Sequence, residues 1–175
     1  MIRKAIALAL TFLIGLTAYI PLTESAYAAD DNITFYEGKV ISWQEYNGHV
    51  RVVTKHNGQS LEKRSYIYCI EPGLKAPGGG TYTVQEAAGT SEKMQLMRKI
   101  IYYSPSAPGW GRDGVGLYGG LTEGSVKSLL ATHMALSLAN HGGWDATRAF
   151  AASINTIYAN KMDNSPALKE RAVFI

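Results

Sequence analysis

The sequence predicts an α+β domain: an antiparallel β-sheet, a three-stranded meander or more, followed by a helical subdomain. Three observations carry this expectation. Residues 34–70 are rich in β-branched and aromatic side chains, and Asn47-Gly48 and Asn57-Gly58 punctuate them. Such pairs tolerate the positive φ of tight hairpin turns. Residues 91–175 instead carry apolar side chains at helical spacing. Between the two regions, Pro72-Gly73 closes the strand pattern.

The elements follow in order. Thr34 to Tyr46 reads as the first strand region. Asn47-Gly48 is the predicted first hairpin turn, and His49 to Lys55 alternates Val50, Val52 and Thr54 against Arg51, Val53 and Lys55. His56-Asn57-Gly58 is the second turn, and Leu61 to Ile70 the third strand. Lys75 to Thr83, with Gly78-Gly79-Gly80, reads as a flexible loop. Thr90 or Ser91 caps a helix from Glu92, with Met94, Met97, Ile100 and Ile101 on its apolar side. Pro105 to Gly120 is a glycine-rich loop carrying Trp110 and Tyr118, and loops of that length in compact domains are often functional.

Thr122 to Asn140 is the strongest helix, with Val126, Leu129, Leu130, Met134, Leu136 and Leu138 as apolar positions, and Gly142-Gly143 ends it. Asp145 is expected to cap a further helix running through Tyr158. Ser165-Pro166 opens the last one, with proline in the first turn.

The N-terminus carries an export pattern. Arg3 and Lys4 precede an apolar run from Ala5 to Ile20, Pro21 breaks it, and Ala26-Tyr27-Ala28 supplies small residues for cleavage. The run is shorter than the roughly 20 residues a membrane helix needs. Residues 1–28 are therefore read as a cleaved signal peptide, and 29–175 as one exported module, secreted or held at the cell surface or cell wall. That module has no second apolar run to span a membrane. It ends at Val173-Phe174-Ile175 inside an apparent helix, with no Leu-Pro-x-Thr-Gly sorting signal or terminal apolar anchor. A module truncated at its C-terminus is expected.

Charge excludes some functions. The formal net charge is only +3, and no basic stripe alternates with aromatic residues, so no nucleic-acid partner is expected. No histidines fall at metal-ligand spacing, so no metal is expected, and no glycine-rich loop opens a helix with the required lysine, so no phosphate cofactor is expected either. Trp43, Trp110 and Trp144 read as packing residues.

The single cysteine, Cys69, stands out. An exported chain normally pairs its cysteines, so a lone thiol is either a packed group or a reactive one. His133 is the candidate partner, since it lies on the core side of the strongest helix. The plain alternative is a buried histidine satisfied by a backbone carbonyl. His49 and His56 flank the turns, and His141 lies at a helix C-terminus, where the dipole favours a cation.

Tyr68-Cys69-Ile70 after a β-meander, Lys99-Ile100-Ile101-Tyr102-Tyr103, and Leu130-Ala131-Thr132-His133-Met134-Ala135-Leu136-Ser137 resemble, in that order, the motifs of the thioester domains of Gram-positive surface adhesins. The resemblance implies attachment to a protein or glycan on a host or neighbouring cell. In that family an internal thioester joins the cysteine to a glutamine that follows a threonine on a helix, and surface amines attack it. Here the residue after Thr132 is His133, which has no acyl carbon. Gln85 and Gln95 fall outside the motif, and Gln44 and Gln59 fall in the meander.

The matching positions are therefore Tyr68, Cys69, Ile70, Thr132 and His133. Three readings stay open: a binding module without the bond, a Cys69–His133 nucleophile for acyl transfer or peptide cleavage, and an inert buried pair. A third group orienting the imidazole could be Asn140 or Asp145.

Overall fold

The computed structural model describes residues 32–36, 40–49, 51–74, 78–83, 91–111 and 121–175. The signal-peptide reading, Gln85 and Tyr118 lie outside them. The described residues contain two antiparallel sheets and five helices, in keeping with the α+β class.

The larger sheet holds β1 (Asn32–Tyr36), β4 (Arg51–His56), β5 (Gln59–Ile67) and β6 (Gly80–Thr83), in the order β5-β4-β1-β6. β1, β4 and β5 supply three neighbouring antiparallel strands, as expected, but a separate hairpin lies between β1 and β4 in the chain, so only β4–β5 is joined by a tight turn. Asn57 and Gly58, with φ of 48° and 76°, form the tight β4–β5 turn as the sequence indicated. Gly80–Thr83, expected to be loop, is instead a strand on the free edge of β1. Phe35 and Tyr82 stack across that pair, with ring centroids 4.8 Å apart.

The first predicted turn is wrong. β2 (Val40–Trp43) and β3 (Tyr46–His49) form a separate hairpin whose two-residue turn is Gln44-Glu45. Asn47 and Gly48 lie inside β3, opposite Ser42 and Ile41. Both have other duties. The Asn47 side chain accepts a hydrogen bond from the Ser42 hydroxyl. Gly48 lets β3 approach a helix so closely that a Cβ there would lie 2.6 Å from Leu130 Cδ2. Gln44 takes the left-handed conformation, φ 56°, without being glycine or asparagine. Its Oε1 accepts from the Ala167 backbone N–H at 3.1 Å. That contact ties the turn to an N-terminus whose own Ser165 makes no side-chain cap bond.

The helices are α1 (Glu92–Tyr102), α2 (Val126–His141), α3 (Trp144–Ile154), α4 (Thr156–Asp163) and α5 (Pro166–Phe174). Ser91 caps α1 by accepting from the Met94 N–H. Ser125 caps α2 in the same way through Ser128, so the helix starts later than Thr122. Val126, expected in the core, is 40% exposed at this first turn. Gly142, at φ 87°, closes α2 in the left-handed conformation. Asp145 does not cap α3. Gly143 holds that position without a side-chain bond, and Asp145 sits in the first turn. The expected single helix through Tyr158 breaks at Asn155, whose extended backbone ends α3 and whose side chain accepts from the Ile157 N–H to start α4.

α2 is the axis of the domain. Every residue from Ser128 to Leu138 is buried, as for a helix covered on all sides. One side, Leu130, Met134 and Leu138, joins Tyr46, Ala151, Met162 and Leu168 in the main core. Another, Ala135 and Leu136, packs on Met97 and Ile100 of α1. Four polar residues of α2 are buried with them, and Thr132 and Ser137 bond back to the carbonyls of Ser128 and His133.

Candidate functional site around Cys69, Tyr46 and His133

β5 ends at Ile67, so Cys69 lies two residues past the strand rather than within it. Tyr68 and Ile70, on either side, pack against Met97, Ile100, Ala135 and Leu136. This anchors the cysteine segment on α2 and α1. The Cys69 thiol is partly buried and donates to the Glu71 carbonyl at 3.3 Å. Pro72 is buried beyond it, and Gly73, at φ 91°, lies against Ile154 near the end of α3. The Cys69 turn is therefore held between α2 and α3.

Thr132 and His133 project from the middle of α2 and are 0% and 7% exposed. The partner the sequence reading missed is Tyr46. This β3 residue is wholly buried, and its hydroxyl lies 2.9 Å from His133 Nε2. Tyr158 of α4 meets Tyr46 edge to face at 5.4 Å, and its own hydroxyl donates to the Asn47 carbonyl at 2.8 Å. A tyrosine beside Asn-Gly looked like the end of a strand before a turn, and no spacing linked it to residue 133.

The electrostatics join these groups. Burial first, then Tyr158 and the Cys69 thiol, push the Tyr46 phenol well above its ordinary range. Burial, reinforced by the Cys69 thiol against an opposing hydrogen-bond contribution from Tyr46, also raises Tyr158. Cys69 thus lies within electrostatic reach of both phenols, and Tyr46 neighbours both Cys69 and His133. In the direct hydrogen bonds, the thiol is committed to Glu71 and the imidazole Nε2 to Tyr46.

The other expected residues lie elsewhere. His141 stacks on Phe150 at 4.2 Å. Asn140 binds Lys93 of α1 rather than His133, and Asp145 is exposed at the start of α3. Trp43 and Trp144 pack against the main core, with Lys127 and Lys169 over their rings. Gln59 opens β5, at the end opposite Cys69, Gln95 is exposed on α1, and the Gln44 side chain is engaged at α5. Among the described residues, no three metal-binding side chains converge, and no helix is long and apolar enough to cross a membrane.

A thioester-domain family model matches residues 32–169, a span that contains the cysteine turn, the buried helix and the strands that bracket them. The chain belongs to the thioester-domain family. No curated protein and no solved structure matches it. The defining bond of a thioester domain needs a thiol and a carboxamide in contact. Here the cysteine segment packs on α2, and the α2 side chain that follows Thr132 is an imidazole.

Proposed function

We propose that this thioester domain is a secreted or surface-displayed binding module, exported by residues 1–28, that holds its target without a covalent bond. The target class is a protein or glycan on a host or neighbouring cell. The observation that carries the reading is His133 following Thr132 on α2, in a family whose bond requires a glutamine there. An imidazole offers no acyl carbon, and the Gln44 carboxamide already binds the α5 N-terminus. Adhesion then rests on surface complementarity, and Cys69 remains a thiol.

Intact-mass measurement of the exported chain tests this. Condensation of a cysteine with a glutamine side chain expels ammonia, a loss of about 17 Da. The expected mass is that of the uncondensed chain, with one alkylatable thiol, and complexes with target cells should dissociate in denaturant. A chain already lighter by one ammonia, or a denaturant-resistant adduct with an amine-bearing target, overturns the proposal. His133→Gln restores the missing donor and is expected to regain the mass loss.

The alternative is an extracellular acyl-transfer or peptidase-like enzyme using Cys69 and His133. It draws on their common neighbour, Tyr46. Against it, Cys69 follows a strand rather than opening a helix, so no helix dipole favours its thiolate. Turnover of a thioester or peptide substrate that is lost in Cys69→Ala would establish the enzyme instead.

A further inference from the structure

We infer that Asn57 is a site of spontaneous covalent modification. The backbone nitrogen of Gly58 closes on the Asn57 side chain and expels ammonia, and the ring then opens to an aspartyl or isoaspartyl residue in the β4–β5 turn. The inference starts from two identical pairs that the fold treats in opposite ways. Asn47-Gly48 and Asn57-Gly58 carry the same chemistry, because glycine has no Cβ to shield its nitrogen from the preceding carboxamide. Ring closure needs the peptide between the two residues to rotate until that nitrogen faces Cγ. Asn47 is held against such rotation. It lies inside β3 opposite Ser42, the Ser42 hydroxyl donates to its side-chain oxygen, and its backbone carbonyl accepts from the Tyr158 hydroxyl at 2.8 Å. Gly48 is buried against Leu130. Around Asn57 the chain is open instead. Every residue from Thr54 to Ser60 is exposed, and nothing lies within 4 Å of a Cβ added at Gly58. The β4–β5 register shifts between Val53 and Lys55, so this end of the hairpin is paired through Lys55–Ser60 and His56–Gln59 beyond an irregularity. The turn can therefore open locally while the core stays packed.

The reaction balances with water as its only co-reactant. A solvent base takes the Gly58 amide proton, the nitrogen bonds to Asn57 Cγ, and the carboxamide C–N bond breaks, its nitrogen leaving as ammonia. Water then adds at one of the two ring carbonyls. Opening at Cγ gives aspartate. Opening at the backbone carbonyl gives isoaspartate, whose main chain runs through the side-chain methylene. Nothing is oxidised or reduced. A neutral carboxamide becomes a carboxylate, so the formal charge falls from +3 to +2. The isoaspartyl form lengthens a two-residue turn whose φ angles are 48° and 76°, so the tight hairpin geometry is lost there. The lasting mass change is a gain of about 1 Da, opposite in sign to the loss that a thioester brings. Cys69 is not consumed, so this inference stands or falls separately from the proposed function.

The test is peptide mapping by mass spectrometry of the folded chain held at mildly alkaline pH, with the chain unfolded in guanidinium chloride as the reference. Isoaspartate is scored by labelling with an isoaspartyl methyltransferase. In the folded chain the mass gain is expected at Asn57 at least about tenfold faster than at Asn47, because β3 must leave the core before Asn47 can react. In guanidinium chloride the two sites should react at similar rates. Gly58→Ala should slow the reaction at Asn57 by about tenfold or more, since a Cβ hinders the attacking nitrogen. Asn57 unchanged in the folded chain over a period that converts it in guanidinium chloride overturns the inference, and so does Asn47 keeping pace with Asn57 in the folded chain. The unaltered chain is decisive even if Gly58→Ala does not fold.

Discussion

Replacing Gly48 with alanine tests the packing on which the site depends. A Cβ at this position would sit 2.6 Å from Leu130 Cδ2, whereas apolar carbons rest at roughly 3.5–4.0 Å. About 1 Å must be found in a place where Leu130 is itself only 1% exposed. Overpacking of this kind costs about 1–3 kcal/mol. Alanine returns roughly 0.5–1 kcal/mol through lower unfolded-chain entropy. Gly48→Ala should therefore destabilise by up to about 2.5 kcal/mol, or several degrees in Tm for a chain of this size. Urea and thermal unfolding followed by circular dichroism give the value. The decisive measurement is the double mutant. Leu130→Ala alone should cost about 2–5 kcal/mol, but it also removes the atom in conflict. The pair should then be more stable than the sum of the single changes by at least ~0.5 kcal/mol. Gly58→Ala is the control. Gly58 needs its positive φ and has nothing within 4 Å of an added Cβ, so its cost should add to that of Leu130→Ala without coupling. Strict additivity of Gly48→Ala with Leu130→Ala would refute the close approach of β3 to α2.

Three more outcomes are expected. Gly109→Ala should destabilise more than Gly48→Ala in the same melts. Its Cβ would fall 2.4–2.6 Å from the Tyr102 ring and carbonyl, and a carbonyl cannot rotate away as a side-chain tip can. Tyr46 and Tyr158 both have raised folded-state pKa values. The stability they contribute is complete below the ordinary tyrosine pKa, about 10, and is lost as pH rises through the folded values. In an ultraviolet titration these two phenols should ionise only as the fold is lost, and full ionisation of every tyrosine with native circular dichroism would contradict their burial. Asp163, whose carboxyl the Arg148 guanidinium holds below its ordinary pKa through hydrogen bonds of 2.6–2.8 Å, should behave in the opposite sense. Its contribution is present above the ordinary aspartate pKa and fades as pH falls through the folded value. Because the pair is exposed, Asp163→Asn should cost little at neutral pH and less still in high salt.

The fold was legible wherever a residue acts on its own backbone. Asn57-Gly58 needs two positive φ angles, and Ser91, Gly142 and Pro166 act within a turn or two of their own position, so local chemistry sufficed. It failed where a residue serves a distant partner. Asn47-Gly48 has the composition of a turn, yet its asparagine bonds across the hairpin and its glycine makes room for a helix more than eighty positions away. The real turn uses Gln44, which has no turn propensity and relies on a bond to α5. β6 was hidden in a Gly/Pro segment because an edge strand can be held by its pairing with β1 alone.

The site divides along the same line. Cys69 and His133 were visible as residue types, because one is a lone thiol in an exported chain and the other a histidine on a core-facing stripe. What the sequence could not carry is the proton inventory, since a lone histidine reads equally as a base, a cation or a packed ring. Tyr46 is the side chain that meets the imidazole, and it comes from a strand whose boundary was itself misread. The two errors have one cause. The hairpin that displaces the predicted turn is also the element that lays Tyr46 across α2, with Gly48 close enough beside it to bring the phenol within 2.9 Å of the imidazole. Widening that approach at Gly48 should therefore loosen the Tyr46–His133 contact as well as lower stability, without altering either side chain of the pair.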